Sequence, residues 1–306
     1  MDDWLQALLR FAYYALLLGL FGLTAFRAGG LQRLASVRAL ADIRLALVSG
    51  CGLAAVVSVA LMAVSIAAMM GQPVASLDWP MFEVMVASTS MGWAFLVRLA
   101  ALMAGMAVLA LPLGRWNLAG AAVLFGLAVT TLAWSGHAAA GEGILGTLHR
   151  ANDALHLLAS GVWIGAIGWF AWLVVAAHRR PDPVASTALL ATMHRFAPLG
   201  AALVGVVALT GILNAHLIFG LDNSGAVLGT AYGVLLAAKI ALVGAMLLFA
   251  GLNALLSRHA AGESVDASTG AKTLLSDLRR SLTVELSLAA LVIGCVAVLG
   301  LMSPMA

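Results

Sequence analysis

Residues 148–177 read LHRANDALHLLASGVWIGAIGWFAWLVVAA. From position 153 onward the run is almost wholly apolar. It is long enough to cross a bilayer, which takes about 20 helical residues. Three titratable side chains sit at its near end: His149, Asp153 and His156. Spacings of four and three put them on one helical stripe, with Ser160 a turn further along. An unpartnered polar group in hydrocarbon costs a few kcal/mol, so such a stripe calls for a binding partner. The structural alternative is a helix end at headgroup level, where water satisfies the histidines and the helix dipole favours Asp153.

Seven more runs of spanning length surround this one, giving 8–26, 45–70, 91–113, 117–135, 153–177, 196–219, 231–256 and 282–302. The chain has 306 residues, 63% hydrophobic and 9% charged. A soluble domain carries roughly 25% charged residues. The fold expected is therefore all-α, a multi-pass bundle of eight transmembrane helices. It divides into a four-helix half at 1–136 and a second at 137–306. The segment MDDWLQALLRFAYYALLLGLFG begins with acids and reads as a retained helix, not a cleaved signal. The loop 71–90 is expected to hold a short interfacial helix, and the polar stretch 257–281 reads as a flexible loop.

Twelve of the sixteen Lys and Arg residues fall between alternate spans: Arg27, Arg33, Arg38 and Arg44; Arg115; Arg179, Arg180 and Arg195; Arg258, Lys272, Arg279 and Arg280. The positive-inside rule makes those loops cytoplasmic and both termini periplasmic. The His149 stripe then faces outward. The basic residues read as topology signals, so no nucleic-acid partner is expected. Trp4, Trp79, Trp93 and Trp134 near outer ends, and Trp116 and Trp172 near inner ends, fit aromatic belts. Cys51 and Cys295 stand alone inside apolar runs and make neither a disulfide framework nor a thiolate site.

Imidazoles beside a carboxylate suit a transition metal. His137, behind Ser135-Gly136, can swing over the stripe from the preceding loop, and His216 can face it from the sixth span. Met81 and Met85, spaced by four near the outer surface, add thioethers, which select Cu(I). Methionine is also an ordinary apolar filler. The metal-ligand candidates are thus His137, His149, Asp153, His156, His216, Met81 and Met85. Glu142 reads as a solvated loop residue, and Thr210 with Asn214 as makers of interhelical hydrogen bonds. Arg98, Lys239 and Glu285 are charges within spans. Lys239 shares a face with Tyr232 and Leu236 and can neutralise Asp153; as a cation it is not a metal ligand. Gly161 and Gly165 form a small-xxx-small pair that predicts close packing on the fifth span.

The runs LHLLASGVWIGAIG (155–168), RFAPLGAALVGVVALTGILNA (195–215), YGVLLAAKIALVGAMLLFAGLN (232–253) and LRRSLTVELSLAALVIG (278–294) together resemble the CopD copper-resistance family of inner-membrane proteins. The resemblance covers about half of the chain. Its marks are His156, Gly161, Trp163 and Gly165, then Arg195, Phe196, Thr210, Gly211 and Asn214, then Tyr232, Lys239, Asn253 and Glu285. It implies copper handling at the bacterial inner membrane, with copper ion as the cargo and a small periplasmic copper-binding protein of the CopC type as partner. The expectation is copper transport contributing to copper resistance, most simply uptake from periplasm to cytoplasm, with no catalytic residues and no enzymatic activity. Walker and phosphorylation-loop motifs are not found, so any flux relies on a gradient or a partner. The other readings are a haem-binding membrane redox protein of cytochrome b type, with His156 and His216 facing each other, and a scaffold or sensor without an intramembrane path.

Overall fold

The computed structural model describes residues 2–30, 43–112, 114–179, 183–262 and 269–304. Arg33, Arg38 and Arg180 of the expected cytoplasmic loops lie outside them, as do the side chains of Arg258 and Lys272. The described residues are helical apart from short connections. Ten helices follow in order: α1 (Asp2–Gly30), α2 (Arg44–Met69), α3 (Trp79–Ser88), α4 (Ser90–Ala110), α5 (Arg115–Thr130), α6 (Gly143–Arg179), α7 (Pro183–Phe219), α8 (Ser224–Leu228), α9 (Ala231–Gly262) and α10 (Thr269–Leu299). Eight helices among the described residues are long and apolar enough to span a membrane. The chain is a multi-pass membrane protein.

The helices outrun the expected spans. α6 begins at Gly143, and α10 begins at Thr269, inside the stretch read as a loop. Polar turns beyond the bilayer stay helical because they continue a nucleated helix, for which each added residue is nearly free. The helix expected within 71–90 is α3, whose N-cap Asp78 accepts a hydrogen bond from the Met81 amide at 3.2 Å.

α1 is the central pillar, packing against α2, α5, α6 and α10. One core joins α1, α2, α4 and α5 through Leu17, Cys51, Leu102 and Phe125. A second joins α1 to α6, α7, α9 and α10 through Phe26, Trp163, Trp169, Met246 and Leu278. The α1–α6 approach depends on glycine. A Cβ on Gly22 would collide with the Gly161 carbonyl, and one on Gly165 with the Gly22 backbone. The small-xxx-small pair read from the sequence thus meets a third glycine on α1. Trp169 locks the same seam, donating from Nε1 to the Leu23 carbonyl at 2.8 Å.

Buried polar groups tie the first half together. Arg98 donates from Nε to Thr131 Oγ1 at 2.8 Å and stacks over the Tyr13 ring at 4.7 Å. Cys51 is buried, with its Sγ against the Leu102 carbonyl.

Candidate functional site

The stripe on α6 opens into a cavity of about 180 Å³. His149, Asp153, His156 and Ser160 line one wall, as their helical spacing requires. α1 contributes Arg10 and Tyr14; α7 contributes Gly211 and Asn214; α9 contributes Tyr232, Leu236 and Lys239. The C-terminal turn of α10 closes one rim with Val296 and Leu299.

His137 reaches this cavity from the turn after α5. Gly136 makes that turn possible with φ +119°, a conformation that L side chains rarely adopt. His137 Nε2 lies 3.1 Å from the Leu299 carbonyl, and its ring meets Tyr232 edge-on at 5.8 Å. A carbonyl only accepts, so Nε2 carries a proton, and in the neutral ring Nδ1 is the nitrogen with the lone pair. Arg10 acts alongside, donating from Nε to the Ala297 carbonyl at 3.1 Å. Arg10 thus serves a carbonyl at the end of α10, while the Leu299 carbonyl is shared between His137 and the Met302 amide, which donates to it at 3.2 Å.

A polar seam joins α6 to α7. His156 Nδ1 lies 2.9 Å from Thr210 Oγ1, while Thr210 spends its one proton on the Val206 carbonyl at 2.6 Å. The hydroxyl therefore accepts from His156, Nδ1 is protonated, and Nε2 retains its lone pair. Asn152 donates to the Thr210 carbonyl at 2.9 Å and to Asn214 Oδ1 at 2.8 Å. Asn214 passes the chain on, donating to Asp153 Oδ1 at 3.0 Å. Lys239 and His137 are both within Coulombic reach of that carboxylate.

His137, His149, Asp153 and His156 thus face one space. Among the described residues, however, no group of three or more His, Cys, Asp or Glu side chains is gathered as a metal would require. His149 is 6% exposed, buried more deeply than the outermost position on a stripe suggests. His216 is exposed and does not line the cavity. Asn214 faces α6, and two residues along a helix turn the side chain by about 200°, so His216 points away. The His156–His216 facing pair that a haem would need is not formed. Met81 is 41% exposed on α3, and Met85 packs among Met62, Ile66, Leu77 and Phe95. Neither methionine reaches the cavity.

Sequence spacing did not single out Arg10, Tyr14 or Asn152. Arg10 carried a signal, as a charge inside the first apolar span. Tyr232, Leu236 and Lys239, expected on one face, line the cavity together.

A second cavity, of about 340 Å³, follows the first along the same helices. On α6 its lining runs from Trp163 to Phe170, and on α9 from Leu247 to Ala254. On α7 and α10 it lies at lower residue numbers, Met193 to Val204 and Leu282 to Glu285. Those helices run antiparallel to α6 and α9, so every wall agrees that the two spaces stack end to end through the bundle. Met246 and Ala289, 2% and 3% exposed, lie in register between them.

Comparison with known proteins completes the picture. Residues 1–147 match the family model described as copper resistance protein D-like, N-terminal domain, and residues 190–299 match copper resistance protein D. Copper resistance protein D of Pseudomonas syringae pv. tomato is 35% identical over 314 residues, covering 99% of this chain and 98% of that relative. Copper transport protein CutJ of Bacillus subtilis (strain 168) is 34% identical over 138 residues, 44% of this chain and 23% of its own length. Inner membrane protein YebZ of Escherichia coli (strain K12) is 36% identical over 120 residues, 39% of each chain. No solved structure matches.

Proposed function

The chain belongs to the copper resistance protein D family, and from that premise we propose that it carries copper across the bacterial inner membrane. The direction proposed is from periplasm to cytoplasm, and the flux contributes to copper resistance. Both termini are taken as periplasmic, from the distribution of arginine and lysine. On this reading the chain is a carrier and not an enzyme.

The observation that carries the reading is the cavity shared by His137, His149, Asp153 and His156. His137 Nδ1 and His156 Nε2 offer lone pairs while their other nitrogens are held by Leu299 and Thr210. Fixing one ring nitrogen in this way orients the other for a metal. Lys239 and Arg10, which line the same cavity, oppose a cation and weaken its hold. Weak binding suits transport, since an ion has to leave as readily as it arrives. The stacked second cavity supplies the next space along the bundle. The half at 137–306 provides the ligands, and the half at 1–136 supports them through α1. A periplasmic copper-binding protein of CopC type is the proposed donor.

The test is copper uptake into proteoliposomes containing the purified protein. Uptake is expected to exceed that of protein-free vesicles and to fall to their level with His156→Ala. Equal uptake with and without the protein would remove the transport reading.

A further inference from the structure

Glu285 sits in the middle of α10 and is 1% exposed. It lies 14 residues before Leu299, about 20 Å from the histidine end at 1.5 Å per residue. It lines the larger cavity, whose other walls are chiefly Trp163, Phe170, Phe196 and aliphatic side chains. Among the described residues no lysine or arginine lines that space. Of the charged groups described on the helices packed around it, Arg27 on α1, His178 and Arg179 on α6, His194 and Arg195 on α7, and Asp277, Arg279 and Arg280 on α10 do not line that space; the side chains of Arg258 and His259 on α9 and of Lys272 on α10 lie outside the described ones. Lys239 of α9 lines the other cavity. An ionised carboxylate enclosed without a counter-ion is strongly disfavoured, so something has to cancel the charge.

The partner of Glu285 indicates what cancels it. Asn253 of α9, 7% exposed, donates from Nδ2 to Glu285 Oε1. Its own Oδ1 is buried and finds no hydrogen-bond donor among the described residues. A carboxylate only accepts, so it can satisfy the amide N–H but never the amide oxygen. A carboxylic acid does both. Its C=O accepts from the amide N–H while its O–H donates to the amide C=O. One proton on Glu285 therefore removes the buried charge and supplies the donor that Asn253 Oδ1 lacks. Leaving that oxygen unpaired would carry the full desolvation penalty of a buried polar atom.

A metal is the weaker fit. Among the described residues, one carboxylate, one amide and the Met193 thioether are the ligand side chains lining this cavity, and no cluster of metal-binding side chains includes Glu285.

We propose that Glu285 and Asn253 form a proton-binding site, a carboxylic acid–amide pair remote from the histidine cavity. Binding makes one O–H bond on Glu285 and breaks none in the protein; release returns the proton to water through the adjoining cavity. Such a site gives the chain a means of exchanging protons during a transport cycle.

Infrared difference spectroscopy tests this without copper, so its outcome is separate from that of the transport reading. Wild-type protein in lipid at neutral pH is expected to show a carboxylic-acid C=O band. Glutamate labelled with carbon-13 at its side-chain carboxyl should shift that band in otherwise unaltered protein. Glu285→Gln should abolish it, Asp153→Asn should keep it, and Asn253→Ala should move it to the position of an unbonded acid. A wild-type spectrum with no labelled-glutamate acid band would overturn the proposal. So would a band indifferent to Asn253→Ala in folded protein.

Discussion

Asn214 of α7 donates to the carboxylate of Asp153 on α6 across 3.0 Å, while accepting from Asn152 across 2.8 Å. The seam spends hydrogen bonds within the bilayer, where unpaired amides are expensive. Asn214→Leu is expected to leave Asn152 and Asp153 each short of a partner. Stability should fall by about 1–3 kcal/mol, seen as a lower melting temperature in detergent. Asn214→Asp would place two carboxyls side by side and should be worse. An unchanged melt for both variants would contradict the seam.

Thr210 makes a separate test of how His156 is oriented. Thr210→Val keeps the shape of the side chain but removes the acceptor at Nδ1. Copper accumulation is expected to fall several-fold while membrane abundance stays close to wild type. Thr210→Ser, which restores the hydroxyl, should recover most of it. Equal accumulation in the valine variant would show that the ring needs no such anchor.

The α1–α6 contact at Gly22 predicts a folding defect with no local chemistry. Gly22→Val and Gly165→Val each drive a side chain into the opposing backbone. Overpacking costs about 1–3 kcal/mol where neighbours can yield, and backbone yields little. Both variants should lose most of their membrane abundance. Gly19→Ala, whose Cβ would meet nothing within 4 Å, should be neutral. Immunoblots of membrane fractions decide the matter.

Topology is testable directly. Reporter fusions after Arg38, Arg180 and Lys272 are expected to read as cytoplasmic, and fusions at either terminus as periplasmic. A periplasmic signal from two of the three internal sites would reverse the orientation.

The spans were legible because membrane helices declare themselves by length and apolarity alone. Their ends were not, since α6 and α10 continue as polar helix beyond the bilayer. The stripe of His149, Asp153 and His156 followed from periodicity within one helix. Partnerships between helices were harder to read. Nothing in local spacing ties Asn152 to Asn214, or Arg10 to the carbonyl of Ala297. The position of His216 was readable in principle. Once Asn214 is set against Asp153, helical geometry turns His216 away. The methionines gave no such handle, because a thioether that fills a core looks the same in sequence as one that binds a metal.

The central claim is that the α6 cavity handles copper. Cellular copper, measured by elemental analysis at matched membrane abundance, tests it most directly. His156→Ala is expected to bring accumulation down to the empty-vector level. His149→Ala, at a buried position, should also lose most of it. His216→Ala should match wild type, because that ring is exposed and lies off the cavity. Wild-type copper in cells carrying His156→Ala would contradict the account and leave the stripe as no more than the polar end of a helix.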